Sequence, residues 1–329
     1  MKILVLRFSA IGDIVLTTPV VRALKTQIPD CELHYATKES YASIISCNPH
    51  IDKVHLLKDS FNDFIDGLKT EKFDFIVDLH NNLRTFRIKK RLKSHSEAFP
   101  KVNLEKWLVV NTSINKLPNE HIVDRYFKAT KKLNITNDNK GLDYFLNDEK
   151  KVDLSNYTQT NEKSISVAVG AKFNTKQIPT ALFSQALSTV TTPIFLLGGS
   201  EDFSKGEEIR NALKSNKKVF NLCGKLSINE SASVIKQTDL IITGDTGLMH
   251  IASAFKTQII SIWGNTIPSF GMYPYRPENP KSFSIHQVED LKCRPCSKIG
   301  YQKCPKKHFK CMENQDLGVI QNKIKEYLG

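Results

Sequence analysis

The sequence predicts an α/β protein with two Rossmann-like domains, each built on a parallel sheet, that face a central cleft. Short apolar runs rich in β-branched residues alternate with amphipathic stretches, a pattern typical of parallel strands joined by crossover helices. The alternation stops in a polar segment and then begins again. A length of 329 residues also suits two domains that each bury their own core.

The first half of the chain contains four predicted strand-and-helix pairs. Strands are expected at KILVLRF, ELHYAT, KVHLL and FDFIVDL, with helices over 13–27, 39–47, 61–70 and 84–92. Residues 134–163 are rich in Asn, Asp, Lys and Thr and have few periodic apolar positions, which indicates a connecting region. We therefore predict an N-terminal domain over 1–155.

The same pattern returns after the connecting region and predicts a C-terminal domain over 156–314. Its strands are expected at SISVAVG, PIFLLGG, KVFNL, DLIITG and QIISIWG, with helices near 179–190, 203–214, 227–237 and 247–255. A last helix is expected over 315–329, with the option of packing back on the N-terminal domain. Ligands bind beyond the carboxyl ends of strands in open α/β sheets, so residues that follow strands are the candidate site residues.

Composition and charge restrict the class of protein. The apolar opening stretch is interrupted by Arg7 and Asp13 and has no small-residue cleavage site, which argues against a signal peptide. No later stretch is long and apolar enough to span a membrane. We therefore expect a soluble, cytoplasmic protein whose seven cysteines are mostly reduced. The formal net charge of +13 favours an anionic partner, whether nucleic acid, acidic lipid or a phosphorylated sugar.

The first strand is followed by the turn RFSAIGD, over residues 7–13, which places a carboxylate where the next helix starts. One interpretation is that Asp13 caps this helix, because carboxylates accept amide hydrogen bonds there and are favoured by the helix dipole. The other is that Asp13 is a general base, because a carboxylate can take the proton of an attacking hydroxyl group.

A second junction, DLIITGDTGLMH over 239–250, is more specific. A strand ends in Gly-Asp-Thr-Gly and a helix begins, so exposed backbone amides would suit a phosphate group. His250 would lie on the first helical turn and point towards the same phosphate. The alternative is an ordinary turn capped by Asp245, with His250 packed inward.

Two further loops after strands carry charged residues. Lys172 and Lys176 precede a helix that starts at Pro179, and an ammonium group there would neutralise a departing diphosphate. Glu201 follows the next strand and would accept hydrogen bonds from ribose hydroxyl groups, as an acidic residue does in dinucleotide folds. A solvated lysine loop and a simple Gly-Gly-Ser turn are the alternatives.

Several nucleotide-binding motifs are missing from these junctions. The absence of GxGxxG and of GxxxxGK[ST] weakens the dehydrogenase and ATPase interpretations. No DxD-type carboxylate pair lies where a metal ion would bridge a diphosphate. We therefore expect cationic side chains and helix amides to bind the diphosphate, with no cofactor or metal required.

Together these junctions resemble glycosyltransferase family 9, the bacterial heptosyltransferases of lipopolysaccharide core assembly. The resemblance spans nearly the whole chain and is carried by FSAIGD at 8–13 and by GDTG at 244–247 with His250. It implies a GT-B fold and an inverting, metal-independent transfer of heptose from ADP-heptose. The implied acceptor is an acidic inner-core sugar, Kdo or heptose, at the cytoplasmic face of the inner membrane, where peripheral contact with the membrane is an option.

The resemblance also implies roles for individual residues. Asp13 is implied as the catalytic base. The implied donor contacts are Lys172, Lys176, Glu201, Leu226, Asp245, Thr246, Gly247 and His250, and the implied acceptor contacts are Ser9, Gly12, Arg84, His121 and Arg125. The chain departs from the family pattern in the lysine loop, which reads KQIP over 176–179 instead of continuing to Trp-Pro, and at Lys172, where some members have a hydroxyl residue.

Local charge suggests where an acidic acceptor would bind. Residues 84–106 contain eight basic residues against two acidic ones. His121 and Arg125 lie four residues apart on a predicted helix and match positions where the family contacts its acidic acceptor. The alternative for the basic run is a solvated helix face.

The cysteines near the C-terminus allow two interpretations. Their spacing, a CxxC pair followed by two single cysteines, is compatible with structural zinc at Cys293, Cys296, Cys304 and Cys311. Related transferases carry a similar Cys-Pro-Cys tail that resembles a structural clasp. We expect free or partly paired thiols and no metal, with zinc as the alternative.

Two rival functions remain at this stage. Within enzymes, the chain would donate another nucleotide sugar to a different surface glycan. In another class, it would be a basic nucleic-acid-binding protein with a four-cysteine zinc site, but its basic run lacks interleaved aromatic residues for stacking on bases. That second alternative also leaves Asp13 and the Gly-Asp-Thr-Gly turn unexplained. We therefore expect a nucleotide-sugar donor and an acidic lipid-linked saccharide as partners, and no nucleic acid.

Overall fold

The computed structural model describes residues 1–147, 149, 151–159 and 162–329, so residues 148, 150, 160 and 161 of the predicted connecting region lie outside the described residues. In the part of the chain that is described, every strand pair is parallel. The strands form one five-stranded and one six-stranded sheet. The predicted α/β class with two parallel sheets is confirmed.

The first sheet has the strand order β3-β2-β1-β4-β5. Its strands are β1 (Lys2–Leu6), β2 (Glu32–Lys38), β3 (Lys53–Leu57), β4 (Phe75–Asp78) and β5 (His95–Ala98). The helices of this half are α1 (Ile11–Val15), α2 (Thr18–Gln27), α3 (Phe61–Thr70), α4 (Leu83–Leu92), α5 (Asn103–Thr112) and α6 (Ile122–Phe127). The helix predicted over 13–27 is divided, because a new helix begins at Thr18 with Pro19 in its first turn. The helix predicted over 39–47 is a 3-10 segment, Glu39–Ile44.

The second sheet has the strand order β11-β10-β9-β6-β7-β8. Its strands are β6 (Ile165–Ala168), β7 (Ile194–Leu197), β8 (Val219–Asn221), β9 (Leu240–Thr243), β10 (Gln258–Trp263) and β11 (Phe283–Gln287). The helices are α7 (Thr180–Ala186), α8 (Phe203–Ala212), α9 (Ile228–Gln237), α10 (Gly247–Ser253), α11 (Lys310–Glu313) and α12 (Leu317–Leu328). The predicted strands and main helices of this half are present.

The central strands are apolar along their whole length because both faces of each sheet are covered by helices. Residues 3–6 of β1, 194–197 of β7 and 240–242 of β9 are 0% exposed. Such burial holds the strand ends in place, and with them the loops that follow the strands.

Each sheet has one position where the strand order reverses. It lies between β1 and β4 in the first sheet and between β6 and β9 in the second. The connections leave in opposite directions at such a position, which opens a crevice beyond the carboxyl ends of the two strands. The loops after β1, β4, β6 and β9 are therefore the best placed to bind ligands.

The chain divides into two compact units, Met1–Val102 with Glu120–Phe145, and Asn103–Asn119 with Leu146–Gly329. Helix α5 belongs to the second unit, where the Nζ of Lys106 lies 5.3 Å from the ring centroid of Phe270. Helix α12 also packs in the second unit, since Ile320 and Ile324 join its apolar core. The domain boundary between 155 and 156 stays a prediction, because the chain passes between the units more than once.

Candidate active site

Asp13 lies at the strand-order reversal of the first sheet, in the turn between β1 and α1. It is the third residue of α1, and its Oδ2 accepts a hydrogen bond from the backbone N–H of Ala10 at 3.2 Å. The idea that Asp13 is the N-cap is therefore wrong, because Ala10 occupies that position. The carboxylate still supports the helix start, but from inside the first turn.

Arg7 is the partner of Asp13 that sequence reasoning did not single out. Its Nη2 lies 2.7 Å from Asp13 Oδ1, and its other nitrogens donate to the carbonyl oxygens of Ser9 and Leu79 at 2.9 and 2.5 Å. The guanidinium carbon lies 5.7 Å from the ring centroid of Tyr126. Burial alone would lower the pKa of Arg7, but the charge of Asp13, together with Tyr126 and Tyr35, raises the pKa above its ordinary value. Arg7 is therefore a fixed positive charge that orients Asp13.

His80 and Arg84, from the loop after β4 and the start of α4, lie near the same turn. The ring of His80 contacts Phe8 edge to face at 5.9 Å, and the guanidinium carbon of Arg84 lies 5.5 Å from the Phe8 ring centroid. Burial, and then the charge of Arg7, lowers the pKa of His80 to about 4, so its imidazole is neutral at pH 7. Arg84 is thus brought to the Asp13 turn, where Ser9 and Gly12 also lie.

Some basic side chains of residues 84–106 are bonded within the fold, and others face a groove. Lys89 forms an ion pair at 2.8 Å with Asp78, which is fully buried. Arg91 donates to Asn62 at 2.9 Å, and Arg87 lies over the ring of Phe61 at 5.1 Å. An open groove beside α4 is lined by Lys38, Glu39, Ser40, Leu57, Lys58, Asp59, Phe61, Asn82, Leu83, Arg84 and Arg87. Part of the run therefore supports the fold, and part faces a groove suited to an anion.

His121 and Arg125 are each only 2% exposed. The predicted helix is present as α6. His121 is its N-cap, where the ring accepts a hydrogen bond from the N–H of Val123 at 3.2 Å and the carbonyl oxygen accepts one from the N–H of Arg125 at 3.2 Å. Arg125 lies within the helix, next to the residue whose ring packs on Arg7. Their contact with an acceptor stays a prediction.

The strand-order reversal of the second sheet brings Lys176 and Asp245 together. The Nζ of Lys176 lies 2.6 Å from Asp245 Oδ2, which also accepts a hydrogen bond from Thr266 Oγ1 at 2.9 Å. A Cβ atom at Gly244 would lie 2.7 Å from the carbonyl oxygen of Lys176, so glycine is what lets the two loops approach. Both charged side chains are largely but not fully buried, at 17% and 11% exposure. This ion pair fixes an ammonium group at the mouth of the crevice.

The start of α10 is capped by Thr246, and not by Asp245 as the alternative interpretation had it. Thr246 Oγ1 accepts a hydrogen bond from the N–H of Met249 at 3.4 Å, and the helix begins at Gly247. The side chain of Thr243 lies 3.0 Å from that of Thr246. His250 is 2% exposed, so its contact with a phosphate stays a prediction beside the inward-packed alternative.

The loop after β7 contains an acidic residue that the sequence analysis missed. Asp202 is 4% exposed, and its Oδ2 accepts a hydrogen bond from the N–H of Gly199 at 2.9 Å. A Cβ atom at Gly170 would lie 1.8 Å from that same Oδ2, so the loops after β6 and β7 touch here. Burial raises the pKa of Asp202. Glu201, its neighbour, is exposed and available to a ligand.

The two remaining predicted donor residues differ in their surroundings. Lys172 is exposed, and its Nζ lies 5.7 Å from the ring centroid of Phe173. Leu226 is half-buried and packs against the apolar cluster below β7 and β9. Both follow strands of the second sheet, and their contact with a donor stays a prediction.

The cysteine-rich segment over 288–309 is bonded to the loops that carry Lys176 and Thr266. The side chain of Thr175 accepts from the N–H of Tyr301 at 2.8 Å, and the N–H of Cys296 donates to the carbonyl oxygen of Asn265 at 3.2 Å. All the cysteines have free thiols, and Cys293 Sγ lies 3.6 Å from His308 Nε2. These bonds fix the segment against the turns that carry Lys176 and Thr266.

The described residues include a cluster of side chains that could in principle bind a metal ion. Its potential ligand atoms lie within 4.8 Å of one another and belong to His34, His55 and Glu71. Glu71 in this group is bonded to Lys2 and Lys53. Two ammonium groups at one carboxylate oppose the binding of a cation, so we interpret the group as an ion-pair network.

In the parts of the chain that are described, no helix is long and apolar enough to cross a membrane.

Comparison with protein families and known proteins gives a consistent result. The model of glycosyltransferase family 9 (heptosyltransferase) matches residues 62–303. The chain is 28% identical to lipopolysaccharide heptosyltransferase 1 of Campylobacter coli, covering 82% of this chain and 85% of that protein. It is 26% identical to lipooligosaccharide heptosyltransferase 2 of Haemophilus influenzae, covering 91% and 93%.

Solved structures support the fold. Escherichia coli heptosyltransferase WaaC with ADP superposes with a TM-score of 0.70 at 18% identity, covering 99% of this chain and 100% of the other. Escherichia coli ADP-heptose lps heptosyltransferase II gives a TM-score of 0.70 at 16% identity with the same coverage. The GT-B fold implied by the sequence resemblance is confirmed.

Proposed function

The chain belongs to glycosyltransferase family 9 and is a glycosyl-transferring enzyme, and on that premise we propose that it moves heptose from ADP-heptose to an acidic sugar of the lipopolysaccharide inner core, Kdo or a core heptose. The transfer inverts the anomeric centre and needs no metal ion. It takes place at the cytoplasmic face of the inner membrane. The donor binds to the C-terminal domain, and the acceptor binds to the N-terminal domain.

The observation that carries this proposal is the placement of two ion pairs at the strand-order reversals of the two sheets. Asp13 with Arg7 supplies an oriented carboxylate, and Lys176 with Asp245 supplies an oriented ammonium. An inverting transfer without a metal ion needs a base for the acceptor hydroxyl group and a cationic site for the diphosphate.

In the proposed reaction Asp13 takes the proton of the acceptor hydroxyl group. The hydroxyl oxygen forms a bond to the anomeric carbon of heptose while the bond from that carbon to the diphosphate oxygen breaks. The electron pair leaves with ADP, and its new charge is stabilised by Lys176, by His250 and by the Asp245–Gly247 turn. Because an ammonium has three donors, Lys176 can bond Asp245 and still donate to the diphosphate.

Arg7 keeps the carboxylate of Asp13 in position, since one of its nitrogens pairs with Asp13 while the other two donate to the carbonyl oxygens of Ser9 and Leu79. Arg84, His121 and Arg125 are proposed as contacts to the acidic acceptor, with Ser9 and Gly12 shaping the turn beneath it. Glu201 is proposed to bind the ribose and Leu226 to pack near the adenine, with Lys172 as a further donor contact.

Calorimetric titration with ADP, UDP and GDP and their sugars tests the donor. We expect ADP and ADP-heptose to bind best, and preference for a uridine or guanosine diphosphate sugar would contradict the proposed donor.

Chelation and product analysis test the mechanism. Transfer should persist in excess EDTA, and the anomeric proton of the product should show the inverted configuration by NMR. Loss of activity with chelator that magnesium or manganese restores would overturn the metal-independent mechanism.

Substitution of Arg84 by Glu tests the acceptor side. The Michaelis constant for the acceptor should rise about tenfold to a hundredfold, because a charge-assisted hydrogen bond contributes roughly 1.5 to 3 kcal/mol. ADP affinity should change little. An unchanged acceptor constant would favour the solvated-face interpretation, and weakened ADP binding alone would contradict the domain assignment.

A further inference from the structure

Helix α5 exposes two of its large apolar side chains, Leu104 and Trp107. The one residue of this ten-residue helix that is buried is Val109. Leu104 is 66% exposed and Trp107 is 51% exposed, and the two are three residues apart, so they share one face of the helix. Ile114, in the segment that follows, is 50% exposed. A surface helix of a globular protein normally packs its apolar face on the core, but α5 packs Val109 inward and leaves Leu104 and Trp107 exposed.

The helix is nevertheless held in a defined place. Lys106 reaches from it to the ring of Phe270 in the same unit. Polar side chains near its end bond to its own backbone, since Asn111 donates to the carbonyl oxygen of Trp107 at 2.8 Å and Thr112 to that of Leu108 at 2.6 Å. The exposed apolar face is therefore presented to a partner by a formed helix.

Charge indicates what that partner is. Over residues 101–119 the chain carries Lys101, Lys106 and Lys116 against one acidic residue, Glu105, and the net charge of the whole chain is +13. Pairing of two copies through this face would bring like charges together.

The composition of the exposed face suits a membrane surface. An indole ring is apolar with a polar N–H and suits the headgroup region of a bilayer. A helix with exposed Leu and Trp beside lysines has the composition of an interfacial membrane-binding helix.

We propose that helix α5 is a membrane-contact element that inserts Leu104, Trp107 and Ile114 into the surface of a bilayer containing anionic phospholipid. The lysines around it contact the lipid phosphates. This inference does not depend on the reaction proposed above, because it uses none of the donor, acceptor or catalytic residues.

Tryptophan fluorescence tests the insertion directly. The chain has two tryptophans, and Trp263 is 1% exposed, so a change in emission on lipid binding reports Trp107. Vesicles of phosphatidylglycerol mixed with phosphatidylcholine should shift the emission to the blue, and salt should weaken the effect. Vesicles of phosphatidylcholine alone should give little shift. The Trp107→Phe variant should lose the shift but still sediment with anionic vesicles.

A second variant separates insertion from general electrostatic attraction. Replacing both Leu104 and Ile114 by Ser should lower the vesicle partition coefficient by about tenfold or more, since two exposed aliphatic side chains no longer enter the bilayer. The matched control is Val319→Ser, at a residue of 50% exposure on helix α12, which should leave partitioning unchanged. Transfer to a delipidated, water-soluble acceptor should be the same in all variants.

Three results would overturn the inference. The first is that no vesicle shifts the emission maximum of Trp107. The second is that the variant with serine at positions 104 and 114 partitions onto vesicles as well as the parent. The third is that the emission shifts to the blue with rising protein concentration in the absence of lipid. The third would assign the face to a second copy of the chain. Failure of the heptosyl transfer assay with intact vesicle binding would instead count against the proposed function alone.

Discussion

At the scale of single residues, the first site depends on a buried cation. Arg7 is 8% exposed and has hydrogen-bonded or ionic contacts with Asp13, Ser9 and Leu79. A buried charge of this kind is stable only while its partners remain. Asp13 therefore has two roles, as the proposed base and as the counter-charge of Arg7, and substitutions must be chosen to separate them.

Replacement of Asp13 by Asn should lower turnover by roughly two to four orders of magnitude, because an amide cannot take the acceptor proton. ADP affinity should be unchanged. The melting temperature should also fall, since the Arg7 charge loses its carboxylate. Steady-state kinetics, calorimetry and thermal unfolding measure these effects, with Asp66→Asn as an exposed control. Full turnover in the Asp13 variant would exclude the base role.

Replacement of Lys176 by Met should weaken ADP binding by about tenfold to a hundredfold, because a charge-assisted hydrogen bond to the diphosphate is lost. The matched control is Lys163→Met, whose ion pair with Asp239 is 55% exposed on the lysine side. Calorimetry with ADP compares the two variants. Equal affinities would show that Lys176 only pairs with Asp245 and does not contact the donor.

At the scale of elements, α10 is held in place from its carboxyl end by Arg276. This side chain is 4% exposed and donates to the carbonyl oxygens of Ala252, Ser253 and Phe255. It satisfies carbonyl groups that a helix end otherwise leaves without partners. The Thr246 cap and Arg276 therefore fix both ends of the short helix that follows the Gly-Asp-Thr-Gly turn.

Replacement of Arg276 by Met should destabilise the protein by about 2 to 4 kcal/mol, because several buried carbonyl groups lose their donors. Urea unfolding measures the change. Arg210→Met is the control, since Arg210 is half exposed and pairs with Glu207 on its own helix, and it should cost under about 1 kcal/mol. Equal effects of the two substitutions would contradict the capping role.

At the scale of the whole molecule, two half-buried histidines couple stability to pH. Burial, and then nearby positive charge, lowers the pKa of both His55 and His80 to about 4. The unfolded chain, with histidine pKa values of about 6.5, therefore binds more protons than the folded chain between these limits. Stability should rise with pH across that window.

The free energy of unfolding should thus decrease as the pH falls from about 6.5 to about 4. Urea unfolding at a series of pH values measures the slope. The His55→Gln variant should show a shallower slope over this window, whereas His95→Gln, at an exposed position, should match the parent. An unchanged slope in the His55 variant would show that other groups cause the acid sensitivity.

Much of the architecture could be predicted because its signals are local. Apolar runs predict the central strands of both sheets, and Asp13 and Asp245 lie at the strand-to-helix junctions that follow two of those runs. The sequence does not predict β5, because His95–Ala98 is a polar edge strand with no apolar run. The sequence predicts an α-helix where the structure has the 3-10 segment Glu39–Ile44, because both kinds of helix place apolar residues about three apart.

The sequence by itself determined the fold class, the family resemblance and the loops in which the site residues lie, because backbone sterics and burial on two faces leave a periodic pattern along the chain. Only the tertiary structure decided which partners the charged side chains contact. Arg7 bonds to Leu79 across 72 residues, and Lys176 pairs with Asp245 because β6 and β9 are neighbours in the sheet. It also decided that Asp202 and Arg276 are buried and that Trp107 is exposed. Such outcomes depend on packing between distant segments, and no periodicity within one segment records them.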